Sequence, residues 1–157
     1  MNKPPDVVKV RTWFGLIAVA DVRPGHWHRA GYGDMLITHP PVVNLLLRRG
    51  LPREHYQTLS ALHEIGHLQM LPLELLYAAL LYGLLFVYGQ PSILTLILVF
   101  ISCFAAWEMF AESHVIRHSV KRYGHYYTAI SVLPRVIFWG TTTILQVMGW
   151  MIVLGLT

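Results

Sequence analysis

The stretch LHEIGHLQ at residues 62–69 sets two histidines four positions apart, with a glutamate directly after the first. In a helix, positions i and i+4 share a face, so His63 and His67 can turn imidazole nitrogens toward one point. Two neutral imidazoles converging this way suit Zn²⁺, and a catalytic zinc needs a third protein ligand plus a position left open for water. Glu64 would be idle in a purely structural site. Beside the first ligand, its carboxylate can take a proton from the attacking water and pass it to a leaving amine. With nine histidines in the chain, an HExxH can arise by chance, and a third ligand is the test.

Glu74 follows too soon to be that ligand, beyond Pro72 and inside an apolar run, and position 73 is leucine, so the extended HExxHxxGxxH pattern is missing. The better candidate is AWEMFAESHVIRH at residues 106–118, which puts Glu108 and Glu112 on one helical face. Between the two motifs lie apolar runs at residues 71–88 and 91–107, joined by Gly89 and Gln90. A helical hairpin over these runs returns Glu108 to the level of His67. A carboxylate so close to a membrane boundary needs a partner, and Zn²⁺ would be one. Glu112, one turn further, can accept the outward N–H of a zinc-bound histidine and set its tautomer. The competing reading makes Glu108 and Glu112 solvated acids paired with Arg117 or Lys121.

The elements that must position these groups are membrane elements. Hydrophobic residues make up 55% of the 157-residue chain and charged ones only 13%, too apolar for an ordinary soluble protein. Residues 71–88 and 91–107 are each about 25–27 Å long as helices, slightly short of a hydrocarbon core. A third span is expected at residues 136–156, where Gly140, Thr141 to Thr143, Gln146 and Gly149 suit a face packed on other helices. Of the twelve Lys and Arg, eight precede the hairpin, four fall between the second and third spans, and none lies in the turn or the tail. The positive-inside tendency therefore puts residues 1–70 and 108–135 on the cytoplasmic side. The net charge of +4 matches anionic headgroups and needs no nucleic acid. The single cysteine, Cys103, excludes a disulfide framework or a CxxC metal site. The short apolar stretch at residues 14–20, closed by Asp21, is not expected to be a signal peptide.

Residues 7–20 hold β-prone runs, Gly31, Tyr32 and Gly33 are a turn signal, and DMLITH at 34–39 reads as a strand, so a small sheet is expected. Pro40 and Pro41 break it, residues 42–49 suit a short helix, and residues 52–69 suit a helix opened by Pro52, with Leu59, Leu62 and Ile65 near one side. The expectation is an α+β membrane protein forming one minimal domain over residues 1–157. Its parts are sheet and HExxH helix at 1–70, hairpin at 71–107, second motif and loop at 108–135, and a final span at 136–156.

His63-Glu64-x-x-His67, a membrane hairpin, then Glu108-Met109-Phe110-Ala111-Glu112 resembles the HExxH and ExxAD pattern of membrane-embedded gluzincin metallopeptidases, the family of HtpX and the CAAX prenyl protease. The lead-in DMLITHPPVVNLLLRRGLPREHYQTLSALHEIGH is similar to that family's edge strand and short helix, and the likeness covers roughly residues 15–120. It implies one Zn²⁺ held by His63, His67 and Glu108, with Glu64 as general base and Glu112 as the acid that orients a ligand. It also implies a polypeptide substrate adding to an edge strand at Met35, Leu36, Ile37 and Thr38. His114, Arg117 or His118 would donate to the developing oxyanion. The setting it implies is a bacterial inner membrane. The chain departs from the pattern in having Glu112 for Asp, no spans before the zinc helix, no Asn-Ala element near the edge strand and no large domain after the second motif. In this reduced form a second copy or an accessory membrane subunit is expected to complete the site.

The remaining histidines carry less weight. His26 and His28 in PGHWHRAGYG are expected in a surface loop rather than a second metal site, and His39, His55 and His125 have no companion at ligand spacing. Trp139 and Trp150 read as interfacial or packing aromatics. Three functions follow: a zinc endopeptidase at the cytoplasmic membrane surface, a site-2-type intramembrane protease, or a non-enzymatic zinc-binding membrane adaptor or sensor. The second expects HExxH within a span and a later Asp-containing motif, and no Asp follows Asp34. The third makes Glu64 dispensable.

Overall fold

The computed structural model describes residues 7–23, 26–89, 91–122 and 124–156; Gln90 of the expected turn, and the side chains of Lys121 and His125, lie outside the described residues. Four strands, β1 (Val7–Arg11), β2 (Ile17–Asp21), β3 (His28–Tyr32) and β4 (Met35–His39), form an antiparallel meander in the order β1-β2-β3-β4. β4 runs where the edge strand is expected. The turn before it is shifted: Tyr32 pairs with Met35, so Gly31 and Tyr32 belong to β3 and the reversal falls on Gly33 and Asp34. Gly33 sits at φ 57°, a conformation that favours glycine and fixes the turn there. The expected surface loop holds for His26 and Trp27, which are exposed, but not for His28, which is the first residue of β3 and is fully buried.

Helix α1 spans Val42–Arg48, α2 Arg53–Tyr88, α3 Ile93–Arg122, α4 Gly124–Thr128 and α5 Val132–Val153. The fold is thus α+β, and α2, α3 and α5 each contain a stretch long and apolar enough to cross a membrane. α2 does not stop between the HExxH motif and the apolar run, and α3 likewise joins the second apolar run to Glu108 and Glu112 without a break. α5 starts four residues earlier than the expected span. On α5 only part of the expected small-residue face is used. A side chain at Gly149 would collide with Ser102, whereas Gly140 has nothing within 4 Å, and Thr141 and Thr143 are exposed.

Pro72 explains how α2 can continue. It has no N–H for the carbonyl of Leu68, and its ring crowds that carbonyl, so an interior proline ordinarily breaks a helix. Here the Tyr32 hydroxyl donates to the Leu68 carbonyl at 2.7 Å, and the Trp13 indole N–H donates to the Gln69 carbonyl at 2.8 Å. Two side chains from the sheet layer take over the open turn and fasten the sheet to α2.

The helix carrying HExxH is held on two sides. Ile65 packs with Tyr56, Ala61 and the β2 face of Ala18 and Ala20, while Leu59 and Leu62 pack against Val115, Tyr127 and Ile130. Leu59 and Ile65 therefore serve different clusters rather than one side. Gly66 sets the approach of α2 to α3. A Cβ there would stand 2.8 Å from the Ala111 carbonyl oxygen and 3.0 Å from its Cα, so glycine at this point of the motif permits close contact beside the candidate ligands.

Candidate metal centre

The α2–α3 pairing brings together His63, His67 and Glu108, whose potential ligand atoms all lie within 4.8 Å of one another. Glu108 Oε2 is 3.2 Å from His63 Nε2 and 3.5 Å from His67 Nε2. Ligands at zinc bond lengths of 2.0–2.1 Å on a tetrahedron would be roughly 3.3 Å apart, close to the two separations that Glu108 makes with the histidines. The other nitrogen of His63, Nδ1, is 3.0 Å from Glu112 Oε2. A proton on Nδ1 donated to that carboxylate leaves Nε2 bare toward the centre.

Among the described residues Glu112 pairs with Arg48 and not with Arg117, and the Lys121 side chain lies outside the described residues. Glu112 is fully buried, and Arg48, equally buried, donates to its Oε2 at 2.6 Å. The Arg48 guanidinium also donates to Asn44 Oδ1 at 2.8 Å, and Asn44 Nδ2 donates to Glu64 Oε1 at 2.9 Å. One hydrogen-bonded chain thus runs from the outer nitrogen of His63 through Glu112, Arg48 and Asn44 to Glu64. α1 makes this possible by an inverted pattern: Asn44 and Arg48, one turn apart, point inward, while Val42, Leu45 and Leu46 are exposed.

Glu64 is held on both oxygens. His28 Nδ1 lies 2.9 Å from Oε1, and His39 Nε2 lies 3.1 Å from Oε2. The Tyr56 hydroxyl stands 3.4 Å from His28 Nε2, a contact that suits His28 donating from Nδ1. The Glu64 bond raises the His39 imidazole pKa above its ordinary 6.5, against the opposing effect of partial burial. Neither His28 nor His39 is the bystander that its spacing suggests, because strand pairing places His28 opposite His39 and aims both at α2.

A cavity of about 480 Å³ opens onto this cluster, with His39, His63, Glu64, His67 and Glu108 on its polar side. Ile37, Val42, Phe104 and Trp107 give it an apolar rim. The three expected oxyanion donors do not line it. They lie further along α3, where His114 is buried and stacks on His118 at 3.9 Å while Arg117 and His118 are exposed. Of Met35, Leu36, Ile37 and Thr38, only Ile37 reaches the cavity, although β4 as a whole keeps one edge unpaired by the sheet.

His28, His39, Asn44 and Arg48 are the site residues that spacing misses. The one local signal for them is the pair Asn44 and Arg48 at i and i+4 in an otherwise apolar VVNLLLR helix. Glu74, set aside as a ligand, is also buried, 4.0 Å from His67 Nδ1. No protein-family model, curated protein or solved structure matches this chain.

Proposed function

We propose that this chain is a zinc-dependent membrane endopeptidase whose site lies at the cytoplasmic membrane surface and which hydrolyses peptide bonds of membrane-associated or misfolded polypeptides. The observation that carries the reading is Glu64, a carboxylate that is not part of the three-ligand cluster yet shares its cavity. Charge supports it too. Glu64, Glu108 and Glu112 share one buried guanidinium, Arg48, among the described residues, an excess of carboxylates that a bound cation would offset.

When bound, zinc would supply Lewis acidity at the scissile carbonyl and lower the pKa of the attacking water. The chain's own residues do the rest. Glu64 accepts the proton from water and delivers it to the leaving amine, with His28 and Asn44 fixing its inner oxygen and His39 its outer one. The free edge of β4 supplies main-chain groups for an extended substrate. The rim of Ile37, Val42, Phe104 and Trp107 suits an apolar side chain next to the cleaved bond. The positive-inside bias supports the cytoplasmic orientation.

A non-enzymatic zinc sensor is favoured by one observation: Glu64 is already engaged by three side chains, as a structural carboxylate would be. One comparison separates the readings. Wild type and Glu64→Gln, purified in detergent, are assayed for zinc content and for casein cleavage. We expect about one zinc per chain in both and cleavage only by wild type. Zinc in both with cleavage by neither favours the sensor, and a wild type without zinc removes both.

A further inference from the structure

Glu74 lies in the apolar part of α2, where Leu73, Leu75 and Leu76 around it are exposed and Glu74 alone turns inward. Its side chain is 5% exposed, and neither carboxylate oxygen has a hydrogen-bond partner among the described residues. A leucine would occupy the position without that desolvation cost. An ionisable group kept at such depth calls for a partner.

The partner is on the same helix. Seven residues separate His67 from Glu74, which at about 100° per residue returns Glu74 to within roughly 20° of His67 around the axis. Side chains on a helix lean toward its N-terminus, so Glu74 reaches back along that face. His67 Nδ1 lies 4.0 Å from Glu74 Oε1, and this nitrogen is likewise buried without a hydrogen-bond partner among the described residues. His67 presents its other nitrogen, Nε2, to Glu108. An orphaned donor and an orphaned acceptor thus face each other across a gap that a small side-chain rotation or one water closes. His63 offers the comparison, with Nε2 toward Glu108 and Nδ1 toward Glu112 at 3.0 Å.

Building on the zinc reading above, we propose that Glu74 is the positioning residue of His67, accepting its Nδ1–H so that Nε2 is held bare toward the metal. Each histidine ligand then has its own carboxylate, Glu112 from α3 for His63 and Glu74 from α2 itself for His67. The motif accordingly extends on α2 to His63, Glu64, His67 and Glu74.

The test uses the full chain in detergent, stripped of metal, with zinc affinity measured by chelator competition and unfolding followed on the metal-free protein. Glu74→Leu is expected to bind zinc 10–100-fold more weakly than wild type, while its metal-free unfolding temperature holds or rises. Glu74→Gln, which keeps an acceptor oxygen, is expected to lose less affinity than Glu74→Leu. Wild-type affinity in Glu74→Leu, with a raised unfolding temperature, overturns the proposal and leaves the zinc reading intact. A wild type that takes up no zinc overturns both. Should Glu74→Leu not accumulate, the His67 Nδ1–H proton resonance of zinc-loaded Glu74→Gln decides. It is expected to shift upfield from wild type, and an unmoved resonance overturns the proposal.

Discussion

Replacing Arg48 with methionine isolates what the buried ion pair does. Arg48 and Glu112 are both fully buried, with Nη2 and Oε2 2.6 Å apart. At an effective dielectric of about 20, unit charges at that separation attract by about 6 kcal/mol. Desolvation of two ions costs several kcal/mol each, so the intact pair contributes little net stability. Arg48→Met removes the attraction but leaves Glu112 buried, and its Oε1 has no hydrogen-bond partner among the described residues. The expected destabilisation is about 3–5 kcal/mol. Adding Glu112→Leu removes the stranded charge and should restore metal-free stability to within about 1–2 kcal/mol of wild type. The double variant nevertheless lacks the acceptor for His63 Nδ1, so its zinc affinity should remain 10–100-fold low. Equilibrium unfolding of the metal-free protein in detergent and chelator competition read the two quantities separately. A cost below about 1 kcal/mol for Arg48→Met, or a double variant as unstable as the single, would refute the reasoning.

Two further outcomes follow from contacts outside the ligand set. The Glu64 bond raises the His39 pKa above 6.5, so the stability that His39 adds is fully present below about pH 6.5 and lost as pH rises through the raised value. The unfolding-temperature gap between wild type and His39→Gln should therefore be widest in mild acid and close as pH rises through the raised value, and a gap that widens with pH contradicts this linkage. Tyr32→Phe should cost about 1–2 kcal/mol by stripping the Leu68 carbonyl of its donor. The same change should be nearly neutral beside Pro72→Ala, which restores an N–H to the helix ladder; equal costs in both backgrounds would show that Tyr32 does not compensate for the proline.

What the sequence reveals is what helical periodicity can encode. His63 and His67 share a face because they are four residues apart, as do Glu108 and Glu112, and apolar runs between the motifs require a hairpin that brings the two faces together. β4 is legible for the same reason, as a short run with breakers on both sides. The continuity of α2 through Pro72 is not legible. It depends on Tyr32 and Trp13, 40 and 59 positions earlier, and no local pattern announces that a carbonyl will find its donor in another layer. His28 fails for a related reason: next to Trp27 and after a Pro-Gly pair it has the composition of a loop, and only its pairing with His39 turns it inward.

The division between legible and illegible residues follows the layers of the fold. His63, His67 and Glu108, with Glu112 behind His63, all come from the α2–α3 pair, where Gly66 against Ala111 sets the spacing. The three side chains on Glu64 come from β3, β4 and α1, elements that belong to the sheet side of the cavity. The carboxylate of Glu64 is therefore held by other layers than the three candidate ligands, and the two sets are joined along α2 at His63 and Glu64 and again through Arg48, which touches both Asn44 and Glu112. His39 adds a second asymmetry. It closes β4, one of the two edge strands of the sheet, and its ring holds Oε2 of Glu64. The other oxygen, Oε1, is held from β3 and α1 by His28 and Asn44. On the proposed reading, a chain that pairs with the β4 edge would therefore bear on Glu64 through the His39 ring.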